Sequence, residues 1–248
     1  MGIATAIPKY TSAGDFTFRN FPSASIGTNF LADKLINKLH LSKIAIINIE
    51  NDYGVGTSAA MKSAFTERGG KVTFEESFSP GETDFKPLLL KMKRSDSQGV
   101  YLAVYPTDGA LILKQAKQMR IDRQFVSSVA IIGGKDFFQL TGDAAEGLLV
   151  TSSIPAEESN FSKRYRKEYP EEAPAQLIYA ARAYDSFMVA AVALKACESP
   201  RPACLKDELF KIRNYPGASG NFSFDANGDI DSSFATFRIH KKAFEAVQ

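Results

Sequence analysis

The sequence predicts an α/β protein built on a doubly wound parallel sheet, and three observations carry that prediction. Strand-like and helix-like segments alternate from residue 44 to residue 151. The strand segments are short, β-branched and nearly continuous in apolar character, the mark of strands covered on both faces. Turn residues punctuate the alternation, and strict alternation of this kind implies right-handed crossovers.

The first strand of the series covers residues 44–49, where Ile44, Ile46, Ile47 and Ile49 leave no polar face. Asn51, Asp52 and Gly54 then supply turn chemistry, and a helix over 55–68 stops at Gly69 and Gly70. The next units pair strand 71–76 with helix 84–94, strand 99–105 with helix 107–119, and strand 124–128 with a short helix over 134–140; strand 147–151 closes the series. Ahead of it, Phe30, Leu31 and Leu35 fall at helical spacing in a helix over 23–39, which Ser23 or Ser25 can cap. Residues 1–20 predict an extended entry with strands at 3–7 and 16–19.

After residue 153 the pattern changes. An amphipathic helix over 160–169 stops at Pro170, and a long helix over 175–196 is apolar nearly all round, which calls for burial. A helix over 203–214, a strand with a turn and return over 220–231, and a final alternating strand over 234–239 complete the chain. This second group offers few strands, so the sheet that would cover helix 175–196 is missing from it.

Composition narrows the function. With 44% hydrophobic and 23% charged residues the chain is globular, and a net charge of +2 from 30 basic and 28 acidic residues gives no electrostatic footprint for nucleic acid. Residues 1–8 lack the basic start and apolar core of a signal peptide, and no window of about 18 apolar residues stands out, so a soluble chain is expected. Cys197 and Cys204 flank a short loop containing Pro200 and Pro202, a spacing that favours a disulfide and an oxidising compartment over two free thiols.

Catalytic and cofactor apparatus is not visible. Gly54-x-Gly56 is too short for a dinucleotide fingerprint, and no Gly-x-Ser-x-Gly elbow occurs. His40 and His240 have no metal-ligand neighbours at the required spacing. The run Asp225 to Asp231 reads as a polar turn, since it lacks the glycine and the bidentate glutamate of a calcium loop. Ligands of open parallel sheets bind at the carboxyl edge, so Tyr53, in the turn after the first strand, is the leading candidate contact; its alternative role is to pack over the helix start.

Six stretches in register then carry a family resemblance: Phe18-Arg19, Asp52-Tyr53-Gly54-x-Gly56, Gly81 to Phe85, Gly142 to Gly147, Tyr184-Asp185-Ser186, and Gly217-x-x-Gly220-x-Phe222-x-Phe224-Asp225-x-x-Gly228-Asp229. Over nearly its whole length the sequence resembles the type I periplasmic solute-binding proteins, in particular the leucine/isoleucine/valine-binding group. That resemblance implies two α/β lobes joined by three crossing strands around a small ligand, a non-enzymatic role without a cofactor, a periplasmic location and an ABC transporter permease as partner. It also implies one complete lobe, residues 21–153 with 233–248, and one truncated lobe, residues 1–20 with 155–224, with the surface of helix 175–196 open to self-association.

Carried over residue by residue, the resemblance places Tyr53 and Tyr105 against the ligand. Family members that bind amino acids carry an acidic residue just after the strand at 124–128, and here Val129 or a near neighbour stands in its place. An unpaired ammonium in a desolvated site costs several kcal/mol, which disfavours an α-amino acid ligand unless Asp108 is brought inward as a substitute. The expected ligand is therefore a small polar or carboxylate-bearing molecule. A sensory or regulatory module acting through a partner subunit is the alternative.

Overall fold

The computed structural model describes residues 1–14, 16–134, 136–153, 159–172, 174–199 and 201–247. In chain order its elements are α1 (Ala24–Asn37), β1 (Lys43–Ile49), α2 (Asp52–Thr66), β2 (Lys71–Phe78), α3 (Lys86–Lys93), β3 (Gly99–Ala103), α4 (Pro106–Gln118), β4 (Gln124–Ser128), α5 (Phe137–Thr141) and β5 (Leu149–Ser153). There follow α6 (Asn160–Glu168), α7 (Pro174–Ala196), α8 (Pro202–Phe210), β6 (Tyr215–Gly217), β7 (Gly220–Phe222), β8 (Phe234–His240) and β9 (Ala243–Val247). They divide into two compact units, residues 24–152 with 234–248 and residues 1–23 with 153–233.

The first unit holds a seven-stranded sheet in the order β2-β1-β3-β4-β5-β8-β9, with β1 to β5 paired in parallel and β8 with β9 antiparallel. β1 is buried from Ile44 to Ile49, as its unbroken β-branched run requires. Leu31 and Leu35 of α1, Met61 and Phe65 of α2, and Ile44 and Ile46 of β1 share one buried cluster. The strand β9 has no counterpart in the sequence reading. Its two-residue turn, Lys241-Lys242, places both residues at positive φ (49° and 65°), which a type I′ hairpin requires but which asparagine and glycine ordinarily supply. Glu146 supports that turn, accepting from the Lys241 backbone N–H at 3.0 Å and bonding His240 Nδ1.

In the second unit, buried charges organise the loops. Arg19 is fully buried; its Nε donates to Asp229 Oδ1 at 2.8 Å, its Nη2 lies 2.6 Å from the same oxygen, and its Nη1 donates to the carbonyl of Ile7 at 2.7 Å. This corrects the strands expected at 3–7 and 16–19. Among the described residues the ladder there is a single residue pair, Gly2 with Arg19, and the guanidinium takes the Ile7 carbonyl. Asp185 accepts from the backbone N–H groups of Ala218 and Ser219 at 2.7 and 2.8 Å and from Ser219 Oγ at 2.6 Å. A Cβ on Gly217 would stand 2.4 Å from Asp185 Oδ2, so the glycine and the aspartate form one device that shapes the β6–β7 hairpin.

The other two carboxylates of the 225–231 run, Asp225 and Asp231, serve local backbone. Asp225 Oδ1 accepts from the backbone N–H groups of Asn227 and Asp229, and Asp231 Oδ1 accepts from that of Ser223.

Helix α7 is covered on one face only, and it departs from expectation in its apolarity. Leu177, Ala181, Val189 and Ala193 are buried, yet Tyr184 and Leu194 are nearly half exposed and Phe187 is 74% exposed, so burial covers one face and not the whole. The span Gln176–Ala196 also meets the length and apolarity of a membrane-crossing helix, contrary to the sequence reading. Arg182 and Asp185 at its middle are each 1% exposed and bonded to neighbours in the unit, which is how a core helix uses charge. The Cys197 and Cys204 sulfurs are bonded across seven positions, tying α7 to α8 with Cα atoms 6.0 Å apart.

Two outcomes are expected. Asp229→Ala, which leaves the Arg19 guanidinium buried without its anion, lowers unfolding free energy by about 3 kcal/mol in a urea titration with an unchanged slope. Reducing the disulfide lowers it by about 2.5 kcal/mol through the entropy of the freed loop, read as a lower midpoint in the same titration.

Candidate functional site

A doubly wound sheet offers its ligand crevice where strand order reverses, outside the carboxyl ends of the two strands concerned. The chain leaves β1 to one side to form β2, then returns past β1 to form β3 on the other. The reversal therefore lies between β1 and β3, and the helices that begin there are α2 and α4.

Helix α2 starts hard against the end of β1. A Cβ at Gly54 would sit 2.0 Å from the Ile49 carbonyl oxygen, so only glycine admits this approach. Asn51 caps the helix, its side chain accepting from the Gly54 N–H at 2.9 Å. Tyr53 consequently lies in the first helical turn, where a preceding loop was expected. Helix α4 begins at Pro106, a residue suited to the first helical position, with Tyr105 as the residue that precedes it.

These two starts bring Tyr53 and Tyr105 together. Their rings stack with centroids 5.1 Å apart and planes 23° from parallel. The Tyr53 hydroxyl lies 3.1 Å from Ser128 Oγ, and that oxygen accepts the Ala130 N–H at 3.3 Å. Tyr105 remains 42% exposed. Ser128 was not singled out from the sequence; the available signal was a serine directly ahead of a short apolar turn, the position of a cap.

That turn, a 3₁₀ segment Val129–Ile132, packs closely on α4, since a Cβ at Gly109 would meet Ile131 Cγ1 at 2.4 Å. Val129 is 7% exposed and adjoins Ser128, so it belongs to the same edge. Asp108 lies half-buried in the first turn of α4. Burial pushes its carboxyl pKa up, and the backbone N–H groups of Tyr105 and of Asp108 itself oppose that rise. Tyr101, buried within β3, has its phenol pKa raised well above the ordinary value, by burial first and by the neighbouring Tyr53 phenol second.

The edge formed by Tyr53, Tyr105, Ser128 and Val129 thus presents aromatic area and hydroxyl groups. Among the described residues no group of three or more histidine, cysteine or acidic side chains is arranged to hold a metal ion. Gly54→Ala is expected to lower stability by about 1–3 kcal/mol by forcing α2 away from β1, and to weaken the near-ultraviolet tyrosine dichroism as the Tyr53–Tyr105 stack is disturbed; a thermal melt and a spectrum check both.

Residues 3–243 match the family described as periplasmic binding protein. The leucine-, isoleucine-, valine-, threonine- and alanine-binding protein of Pseudomonas aeruginosa is 27% identical over 97% of this chain, which spans 64% of that relative's length. A solved leucine-binding protein from Thermotoga maritima superposes with a TM-score of 0.90 at 26% identity, covering 99% of this chain and 71% of that one. The branched-chain amino acid transporter substrate-binding protein of Streptococcus pneumoniae, solved with isoleucine, gives a TM-score of 0.80 at 26% identity, covering 96% and 69%.

Proposed function

We propose that this chain, which belongs to the periplasmic binding protein family, is the ligand-binding component of an ABC-type uptake system for a small polar or carboxylate-bearing molecule. The observation that carries this reading is the stacked Tyr53–Tyr105 pair at the sheet's switch point, on the edge where open α/β sheets receive ligands. Amphipathic rings suit such a site, because they offer apolar area together with a polar tip.

The work done is a binding equilibrium. Ligand is captured, held against Tyr53, Tyr105 and Ser128, and delivered to a membrane permease, with no bond made or broken. The names of the relatives support an uptake role, since those proteins bind leucine, isoleucine, valine and related amino acids. An extracytoplasmic location is supported by the Cys197–Cys204 disulfide, a bond that persists in oxidising compartments.

A thermal melt of the protein with amino acids, small carboxylates and amides tests the reading. A ligand at a hundredfold excess over its dissociation constant stabilises the native state by about 2.7 kcal/mol, and Tyr53→Ala is expected to remove the resulting shift. A panel that moves the midpoint for no class of molecule would sink the proposal.

A further inference from the structure

The turn within the 225–231 run holds a reactive pair, Asn227-Gly228. Of the asparagines in the chain, Asn227 alone is followed by glycine; the others precede phenylalanine, lysine, isoleucine, aspartate or tyrosine. A backbone nitrogen can close on the side-chain amide of the asparagine before it, and the main obstacle is the side chain on that nitrogen's own residue, which glycine lacks. Asn227 is exposed, and its hydrogen bond among the described residues is made by its backbone N–H, to Asp225 Oδ1 at 2.8 Å, so the side-chain amide is left to water. The Gly228 N–H donates to the Asp225 carbonyl at 3.2 Å, the long end of the ordinary range. Asp225 and Ala226 of the same turn are exposed too, and short exposed turns open locally at small cost.

We propose that Asn227 is a site of spontaneous deamidation, and that its isoaspartyl product loosens the pairing of Asp229 with the buried Arg19. The Gly228 nitrogen attacks Asn227 Cγ; the new C–N bond forms, the Cγ–Nδ2 bond breaks, and ammonia leaves with the proton from the attacking nitrogen. Water then opens the cyclic imide at one of its carbonyls. One opening gives aspartate; the other gives isoaspartate, in which the main chain runs through the side chain and is longer by a methylene. Gly228 is held tightly on its far side, since its carbonyl accepts the Arg19 N–H at 2.8 Å and a Cβ on it would stand 2.7 Å from the Thr17 carbonyl oxygen. The next residue, Asp229, bonds Arg19 through its carboxylate and Asp225 Oδ1 through its N–H. A main chain lengthened just ahead of Gly228 therefore displaces Asp229, and a guanidinium buried at Arg19 has no water to replace the lost anion.

Incubation of the full chain in mildly alkaline buffer, followed by peptide mapping and enzymatic methylation of isoaspartyl groups, tests this. The expected result is the mass gain of an amide-to-acid conversion at residue 227 ahead of every other asparagine, with isoaspartate among the products and an aged population that melts several degrees lower. Asn227→Gln, whose longer side chain closes the ring far more slowly, is expected to fold normally and to keep its midpoint through the same incubation. An Asn227 that stays intact in the native chain, under conditions in which the urea-unfolded chain converts there, overturns the assignment. So does earlier conversion at any other asparagine. Conversion at residue 227 that leaves the melting midpoint unchanged overturns the link to Arg19.

Discussion

The close approach of α2 to the end of β1, which Gly54 alone permits, is the constraint on which the candidate site depends. With the helix start seated against the Ile49 carbonyl, the Asn51 cap closes and Tyr53 is carried in the first turn toward the β3 side. Ser128 can then meet the Tyr53 hydroxyl, and Tyr105 can stack on its ring. Each of these contacts is small: a hydrogen bond contributes about 0.5–1.5 kcal/mol net and a ring pair about 0.5–1.5 kcal/mol beyond its buried area. None would hold the arrangement by itself. The buried strand β1 and the helix packed on it fix the geometry, and the polar contacts select among the orientations that remain.

The second unit reaches order by a different route. Its strands are short, so charges inside it fasten loops that a sheet would otherwise organise. Asp185 gathers three donors from the β6–β7 turn, and Arg19 gathers Asp229 and backbone carbonyls. Arg182 is more demanding, because its direct partners are neutral: Nη2 donates to Ser232 Oγ at 2.9 Å and Nη1 to Asn20 Oδ1 at 3.4 Å. Burial lowers its pKa to about 10, with the charge of Asp185 acting against that fall, so it remains a cation at neutral pH. Such an arrangement tolerates little change, since a buried charge that loses a partner is not rescued by water.

Much of the sheet was legible because its signal is local. Ile44 to Ile49 can be little other than a covered strand, and Asn51 and Gly54 announce the turn that follows. Where the sequence misled, tertiary contacts outweighed local preference. Residues 3–7 and 16–19 have strand-like composition, but the Arg19 side chain takes the Thr5 and Ile7 carbonyls and the Arg19 N–H is given to Gly228. Lys241-Lys242 carries no turn signature, and Glu146, distant in sequence, makes the turn workable. At the candidate site, Tyr53 and Tyr105 were visible as aromatics just beyond the ends of two strands. Ser128 was not, because a hydroxyl's partner depends on which turns fold against each other, and spacing says nothing of that.

The chain contains no tryptophan and nine tyrosines, and two of those tyrosines lie face to face at the candidate site. Chromophores stacked so closely couple their electronic transitions, and the coupling depends on the angle between the rings. The protein therefore carries its own optical reporter: any molecule that slides against Tyr105 alters a signal that no indole absorption obscures, and occupancy can be followed without a label.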